Sequence, residues 1–218
     1  MRIAIIGAGN MGKALGASIV RAGHDVALSS LHPEHAEAVA REVGAVAAAS
    51  NREAVDGADL VILAVPYTAI DGILGDLGDA LGGKVVVDIT NPLKADMSGL
   101  ATEGSSEAER IQARLPGAAV VKAFNTAFAA RQVDPVVDGV PLDGLVAGDD
   151  EEAKKKVLEL VAAIGFRPID AGGLRMARSL EEMAFLNITL QIRNGWPWQA
   201  GWKLVGPTSD FLGPAAKL

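Results

Sequence analysis

The chain opens on Met1 to Gly16, MRIAIIGAGNMGKALG, where a short β-branched run ending at Ile6 passes directly into Gly7, Gly9 and Gly12 in the spacing G-x-G-x-x-G. That order predicts a buried strand feeding a helix that starts near Asn10. If the strand is central in a parallel sheet, its carboxyl end and the helix amino terminus bring unpaired N–H groups and a positive dipole to one point, where a pyrophosphate can sit. Gly7 then permits the tight turn, Gly9 lets phosphates approach the backbone, and Gly12 lets helix pack on strand. Three glycines alone are a weak signal. Between an amino-terminal strand and an alanine-rich helix they point to a bound dinucleotide.

The 218 residues suffice for one large domain or a domain with a small appendage. A net charge of −7 argues against a nucleic-acid partner, which would need a basic face. With no cysteine, thiolate metal sites, disulfides and cysteine nucleophiles are excluded. His24, His32 and His35 are too few and too poorly spaced for a metal centre, and none is expected. No apolar run approaches the ~20 residues of a membrane span, and the opening run breaks at Gly7, unlike a signal peptide. A cytoplasmic protein without membrane or nucleic-acid partners is the expectation.

Strand and helix then alternate. Strands are expected at Asp25–Leu28, weakly at Ala45–Ala49, and at Asp59–Val65, Lys84–Ile89 and Ala119–Ala123. Helices are expected at Glu34–Val43 with Pro33 opening it, at Asn51–Asp56, up to about Leu81, and at Glu107–Leu115. After a looser stretch beyond Asp134 come the strand Gly144–Ala147, the helix Glu151–Ile164 and the strand Phe166–Asp170. This is the pattern of an α/β fold, a doubly wound Rossmann-type parallel sheet of about eight strands. At the end of the second strand a dinucleotide enzyme chooses its cofactor. Ser29, Ser30 and nearby His32 stand there without an acid, which suits a phosphate better than a ribose diol. Tyr67 has Asp71 four residues on, so the tyrosine and lysine pair of short-chain dehydrogenases is absent.

From Leu174 the chain reads as helical. Met183, Phe185, Leu186, Ile188, Leu190 and Ile192 are too dense for a solvent-facing helix and suit a lid or a dimer contact. Trp196, Trp198 and Trp202 follow closely, and packing against protein is the commoner use of such aromatics. The expected division is a dinucleotide-binding domain over residues 1–172 and a small helical domain over 173–218 that closes the substrate cleft, in a homodimer.

Beyond the glycine turn, the segments GHDV, DLVILAVP, VVDITNPL, VVKAFNT, VAGDD and GWKLVGP together resemble the F420-dependent NADP oxidoreductase family. The reductase domains of transmembrane ferric reductases look similar too. The resemblance implies a hydride exchange between C4 of the NADP nicotinamide and C5 of the deazaflavin F420. It needs no catalytic side chain, because stacking the rings within about 3.5 Å supplies proximity and orientation. By position it implies that Gly7, Ala8, Gly9, Asn10, Met11 and Gly12 hold the pyrophosphate, and that Ala64, Val65 and Pro66 line the adenosine side. Ala129 would lie near the nicotinamide. Asn91, Pro92, Ala127, Phe128 and the segment Trp202 to Leu204 would receive the deazaflavin, with Asn125 among the cofactor-binding residues. Many members carry an arginine after the serine that ends the second strand, and it grips the 2′-phosphate; here Leu31 follows Ser30, so that contact passes to Ser29, Ser30 and His32. The competing readings are an NADPH-dependent reductase of a flavin, quinone or imine, and a non-catalytic NADPH-binding redox sensor.

Overall fold

Strands apolar along their whole length are stable only inside a sheet covered on both faces. In the computed structural model, which describes residues 1–206, six of them form the parallel part of an eight-stranded sheet. They are β1 (Arg2–Ile6), β2 (Asp25–Ser29), β3 (Val46–Ala47), β4 (Leu60–Leu63), β5 (Val85–Asp88) and β6 (Ala119–Lys122). Their spatial order is β6-β5-β4-β1-β2-β3, so the winding reverses between β1 and β4. The glycine turn therefore opens at the switch point of the sheet, where ligands of such folds bind.

The period of two along β1 divides the molecule. Ile3 and Ile5 face a core shared with Leu15 and Ile19 of α1 (Asn10–Arg21) and Val39 of α2 (Pro33–Val43). Ala4 and Ile6 face the opposite core, shared with Val55 of α3 (Asn51–Val55), Leu74 of α4 (Ile70–Leu77) and Ile111 of α5 (Glu107–Arg114).

After β6 the structure departs from the expected uninterrupted parallel order. A short helix α6 (Ala129–Val133), packed on α1 with the Ser18 hydroxyl donating to the Gln132 carbonyl at 2.6 Å, and a hairpin of β7 (Val136–Val137) and β8 (Val140–Pro141) join β6 to the next strand. They do not return the chain to the amino edge of the sheet, as a parallel successor would require. So β9 (Asp143–Gly148) enters from the carboxyl edge and pairs antiparallel with β6. The helix α7 (Glu151–Ala163) then makes a true crossover, and β10 (Arg167–Gly172) runs parallel to β9. The reversal sets Asp143, the first residue of β9, at the ligand edge.

The last helix among the described residues, α8 (Ala177–Asn194), inverts the expected pattern. Its buried positions are Ala177, Leu180, Glu181, Ala184, Asn187 and Gln191, whereas Leu186 and Ile192 are about half exposed, at 49% and 55%. Residues 207–218, the end of the segment read as a helical domain, lie outside the described residues.

Candidate active site

Each glycine of the opening motif meets a different environment. Gly7 has φ +112°, a conformation that side chains rarely adopt, and a Cβ there would stand 2.3 Å from the Ala64 carbonyl oxygen. At Gly12 a Cβ would stand 1.9 Å from the Gly7 carbonyl oxygen. At Gly9 it would meet no atom within 4 Å. Gly7 and Gly12 are thus required by the protein's own packing, while Gly9 borders open space. The helix behind them, α1, has no side-chain cap and no acid in its first turn. Side-chain caps are found at α3, α5 and α7, from Ser50, Ser106 and Asp150, while α2, α4, α6 and α8 lack one as α1 does; what sets α1 apart is its start at the switch point beside the open space at Gly9. The free end of α1 is a place for an anion. His35 of α2 braces the turn, its Nε2 donating to the Ala8 carbonyl at 3.0 Å.

At the end of β2 the three residues expected to meet a 2′-phosphate part company. Ser29 is fully buried, its hydroxyl donates to Asn51 Oδ1 at 2.8 Å, and its carbonyl accepts from Gly7 N–H at 3.0 Å. Its part is to fasten the glycine turn to β2, because the hydroxyl is already engaged and turned inward. Ser30 is half-buried and His32 exposed, with His32 Nδ1 3.9 Å from the Glu34 carboxylate. Leu31 stands between them 90% exposed.

On the other side of the switch point, Asn91 and Asn125 grip one another. Asn91 Nδ2 donates to the Asn125 carbonyl and Asn125 Nδ2 donates to Asn91 Oδ1, each at 3.0 Å. The same Asn125 amide reaches the Leu180 carbonyl of α8 at 3.0 Å. A cavity of about 220 Å³ lies over this pair, and Met11, Asn91, Asn125, Ala127, Phe128 and Ala129 all line it. It is smaller than the roughly 300 Å³ at which small-molecule pockets begin, so it has room for part of a ligand of cofactor size and not for the whole of it. Ala64 and Val65 are half-buried and Pro66 is exposed, all three at the carboxyl end of β4. Phe124, where β6 ends, holds φ +62°, a strain of about 1–3 kcal/mol for a residue with a side chain. Gln132, fully buried on α6, maintains it by donating from Nε2 to the carbonyls of Phe124 (2.8 Å) and Ala127 (3.1 Å).

The tail is placed differently from the expectation. Trp198, not Trp202, meets Phe128, edge to face with ring centroids 5.3 Å apart. Trp202 is tied to β9 through its carbonyl, which accepts from Asp143 N–H at 2.9 Å. Leu204 N–H donates to Asp143 Oδ2 at 2.6 Å, and the Leu204 side chain is exposed. Neither Trp202 nor Leu204 lines the cavity, because their backbones are held at the edge by the reversed strand. Pro92 is buried beneath the shelf, with its carbonyl accepting from Ala101 N–H.

Under the shelf lies a charged cluster that pattern reading passed over. Lys122 is fully buried, and its Nζ donates to Asp88 Oδ2 (2.7 Å), to the Thr90 carbonyl (2.6 Å) and to Glu181 Oε1 (2.8 Å). Burial works against its charge, but Asp88 and Glu181 outweigh burial and raise Lys122 above the ordinary lysine value. Glu181 is pushed up to about 7, by burial first and with the Asp88 charge adding to it. A lysine and an aspartate inside the apolar segments VVKAF and VVVDI were the available signal.

Residues 2–92 match the family model described as NADP oxidoreductase, coenzyme F420-dependent. The F420-dependent NADP reductase of Methanothermobacter marburgensis is 35% identical over 211 residues, 89% of this chain and 94% of that protein. A crystal structure from Arthrobacter sp. FB24, carrying a provisional name as an F420-dependent NADP reductase, superimposes with a TM-score of 0.85 at 29% identity. It covers 94% of this chain and 99% of its own. The Metalloreductase STEAP3 of Rattus norvegicus is 31% identical over 184 residues, 83% of this chain but 36% of that longer protein. On its likeness to the Methanothermobacter reductase along nearly the whole length of both, the chain belongs to the F420-dependent NADP oxidoreductase family.

Proposed function

We propose that the protein exchanges a hydride between NADP and the deazaflavin F420, with the dinucleotide phosphates at the glycine turn and the deazaflavin at the shelf of Asn91, Asn125, Ala127 and Phe128. The observation that carries this is the adjacency of two prepared sites. An uncapped helix with open space at Gly9 stands beside a cavity that Met11 of the same turn shares with Asn91 and Phe128. The chemistry the two cofactors supply when bound is a hydride passing between nicotinamide C4 and deazaflavin C5, with a proton taken up when NADPH reduces F420. The chain's part is positioning. The α1 terminus and the turn N–H groups hold charge, the Asn pair presents fixed amides, and Phe128 backed by Trp198 offers an apolar wall. Asn125 Oδ1 is buried without a hydrogen bond among the described residues, an acceptor ready for a ligand donor. Mixing purified protein with NADPH and F420 tests the reading: NADPH absorbance and the F420 band should fall together. Tight NADPH binding with no turnover of F420 overturns it.

Ser30 and His32 then meet the 2′-phosphate, with Ala64, Val65 and Pro66 toward the adenosine and Ala129 toward the nicotinamide. Leu31 is displayed to solvent, so Leu31→Arg should leave the fold unaltered and add a charge-assisted contact. The expected result by titration is NADPH bound about tenfold more tightly, roughly 1.4 kcal/mol, with NADH nearly unchanged. Equal tightening of both would move the phosphate elsewhere.

We also read residues 173–218 as the element that closes the cleft, and the cytoplasm as the compartment. Among the described residues no helix is long and apolar enough to cross a membrane. The homodimer is our reading of α8, supported by its outward side, where Met183, Phe185 and Leu186 border a groove of about 730 Å³ against Leu100 that a second copy would cover. Sedimentation should give twice the chain mass, and Leu186→Glu should halve it without lowering helix content.

A further inference from the structure

We propose that Lys122 is a positioning residue for the cleft floor: clamped between Asp88 and Glu181, it fixes the Thr90 backbone and thereby sets the Asn91–Asn125 pair against which the second substrate lies. This rests on the reading that the shelf receives the deazaflavin. A buried cluster of ions is a weak source of stability, since apolar residues of the same volume do as well. Its location supplies a different role. Thr90 is held from both sides: its N–H donates to Asp88 Oδ1 at 2.8 Å and its carbonyl accepts from Lys122 at 2.6 Å. The next residue is Asn91. Glu181, the third partner, follows Leu180, whose carbonyl receives the Asn125 amide. At Nζ the ends of β5 and β6 therefore meet α8, and both β5 and α8 bring residues adjacent to the asparagine contacts. Asp88, Lys122 and Glu181 are each fully buried, so the junction has no solvent to relax into.

The charges facing Glu181 come from every element around it. Lys122 stands on β6, Asp88 on β5, and Glu107 on α5, whose backbone N–H donates to Glu181 Oε1 at 3.0 Å and whose own carboxyl is raised, chiefly by burial. Arg110 lies beyond, on the Glu107 carboxylate at 3.2 Å. Glu181 Oε2 has no hydrogen bond among the described residues, so its charge is supported at one oxygen only. Its folded value of about 7 lies above the 4.5 of a free glutamate. Opening the junction restores the ordinary value, so the open state binds fewer protons between these limits. The junction therefore opens more easily as pH rises toward 7, and no further above it.

Lys122→Met alone strands buried carboxylates without their cation and is expected to fold poorly. The informative variant is the neutral triple Asp88→Asn, Lys122→Met, Glu181→Gln, which keeps the volume and removes the bond to the Thr90 carbonyl. It is expected to melt close to the parent and bind NADPH within about twofold, while the KM for F420 rises at least about tenfold and kcat changes less. Changes in both ligands that merely track a lower Tm, or an unchanged F420 KM, overturn the proposal. A second measurement needs no turnover. Hydrogen exchange at Thr90, Asn91 and Leu180 to Ala184 in the ligand-free chain should show an opening free energy that falls from pH 5 to about 7 in the parent and falls less in Glu181→Gln, where of the two raised carboxyls only Glu107 remains. A level parent profile overturns the clamp. Should the parent fail to turn over F420, the function reading falls, and the exchange profile alone decides the clamp.

Discussion

A Gly9→Val chain is expected to fold and melt like its parent and to bind NADPH about a hundredfold more weakly. The backbone at Gly9 is extended, with φ −69° and ψ −172°, a conformation that valine adopts freely, and a Cβ there meets nothing within 4 Å. Neither conformation nor packing in the protein asks for glycine at this position. A side chain projecting from the turn would lift the pyrophosphate off the α1 terminus. Hydrogen bonds to a charged group contribute about 1.5–3 kcal/mol each, so displacing one or two predicts a loss of about 2.7 kcal/mol, which is the hundredfold. Gly12→Val supplies the contrast, because its Cβ would overlap the Gly7 carbonyl at 1.9 Å, and the expected effect is on the melt itself. Thermal melts beside fluorescence titrations separate the two. Unchanged NADPH affinity in Gly9→Val would remove the phosphate from this turn.

The glycines show why some of the molecule was readable from sequence and some was not. The turn is local: strand, glycine spacing and helix start sit within sixteen residues, and continuous burial, alternating between two cores, follows from β-branched runs that lie between two helical layers. The same locality hid other features. The reversal of β9 depends on α6 and the β7–β8 hairpin, short elements that carry no strong periodicity, and without them a further parallel strand was the natural expectation. The inside-out character of α8 was likewise unreadable, since Glu181, Asn187 and Gln191 are buried only because Lys122, the Ala200 carbonyl and the Trp198 N–H come to meet them from distant segments. Ser29 illustrates the limit at the site itself. Its type suited a phosphate, and only the position of Asn51 turns its hydroxyl inward. Pattern set Trp196, Trp198 and Trp202 on one footing and the resemblance chose Trp202; the hydrogen bond from the Asp143 N–H to Trp202 and the ring contact of Phe128 with Trp198 decide their places.

Asp143 carries the second large expected effect, because the reversed strand makes it the anchor of the tail. Its carboxylate accepts from Arg167 at both oxygens, 2.6 and 2.7 Å, and from Leu204 N–H at 2.6 Å, with Lys203 Nζ at 3.3 Å. Burial alone would raise its pKa, but the hydrogen bonds from Arg167, Leu204 and Lys203 outweigh burial and hold it below the usual carboxylate range. Asp143→Ala removes the one carboxylate that Arg167, Lys203 and the Leu204 N–H share, and losing hydrogen bonds to a charged group predicts a loss of about 2 kcal/mol, or roughly 4–8 °C in Tm. The loss should not be uniform. Residues 199–204 run from the Arg131 contact at the Gln199 carbonyl to the Leu204 anchor, so freeing them loosens the wall behind Phe128 while the glycine turn across the switch point keeps its geometry. F420 binding is therefore expected to weaken by at least about tenfold with NADPH affinity nearly retained. The pH dependence has a defined sign. A carboxyl with a depressed folded value contributes stability above the unfolded value of about 3.9, and that contribution disappears as pH falls through the folded value. Urea unfolding from pH 6 down to 3 should show the parent losing stability in acid and Asp143→Asn, already weaker at pH 6, losing less. Parallel curves for the two chains, or equal losses of NADPH and F420 affinity in Asp143→Ala, would detach the tail from the deazaflavin side and return it to general packing.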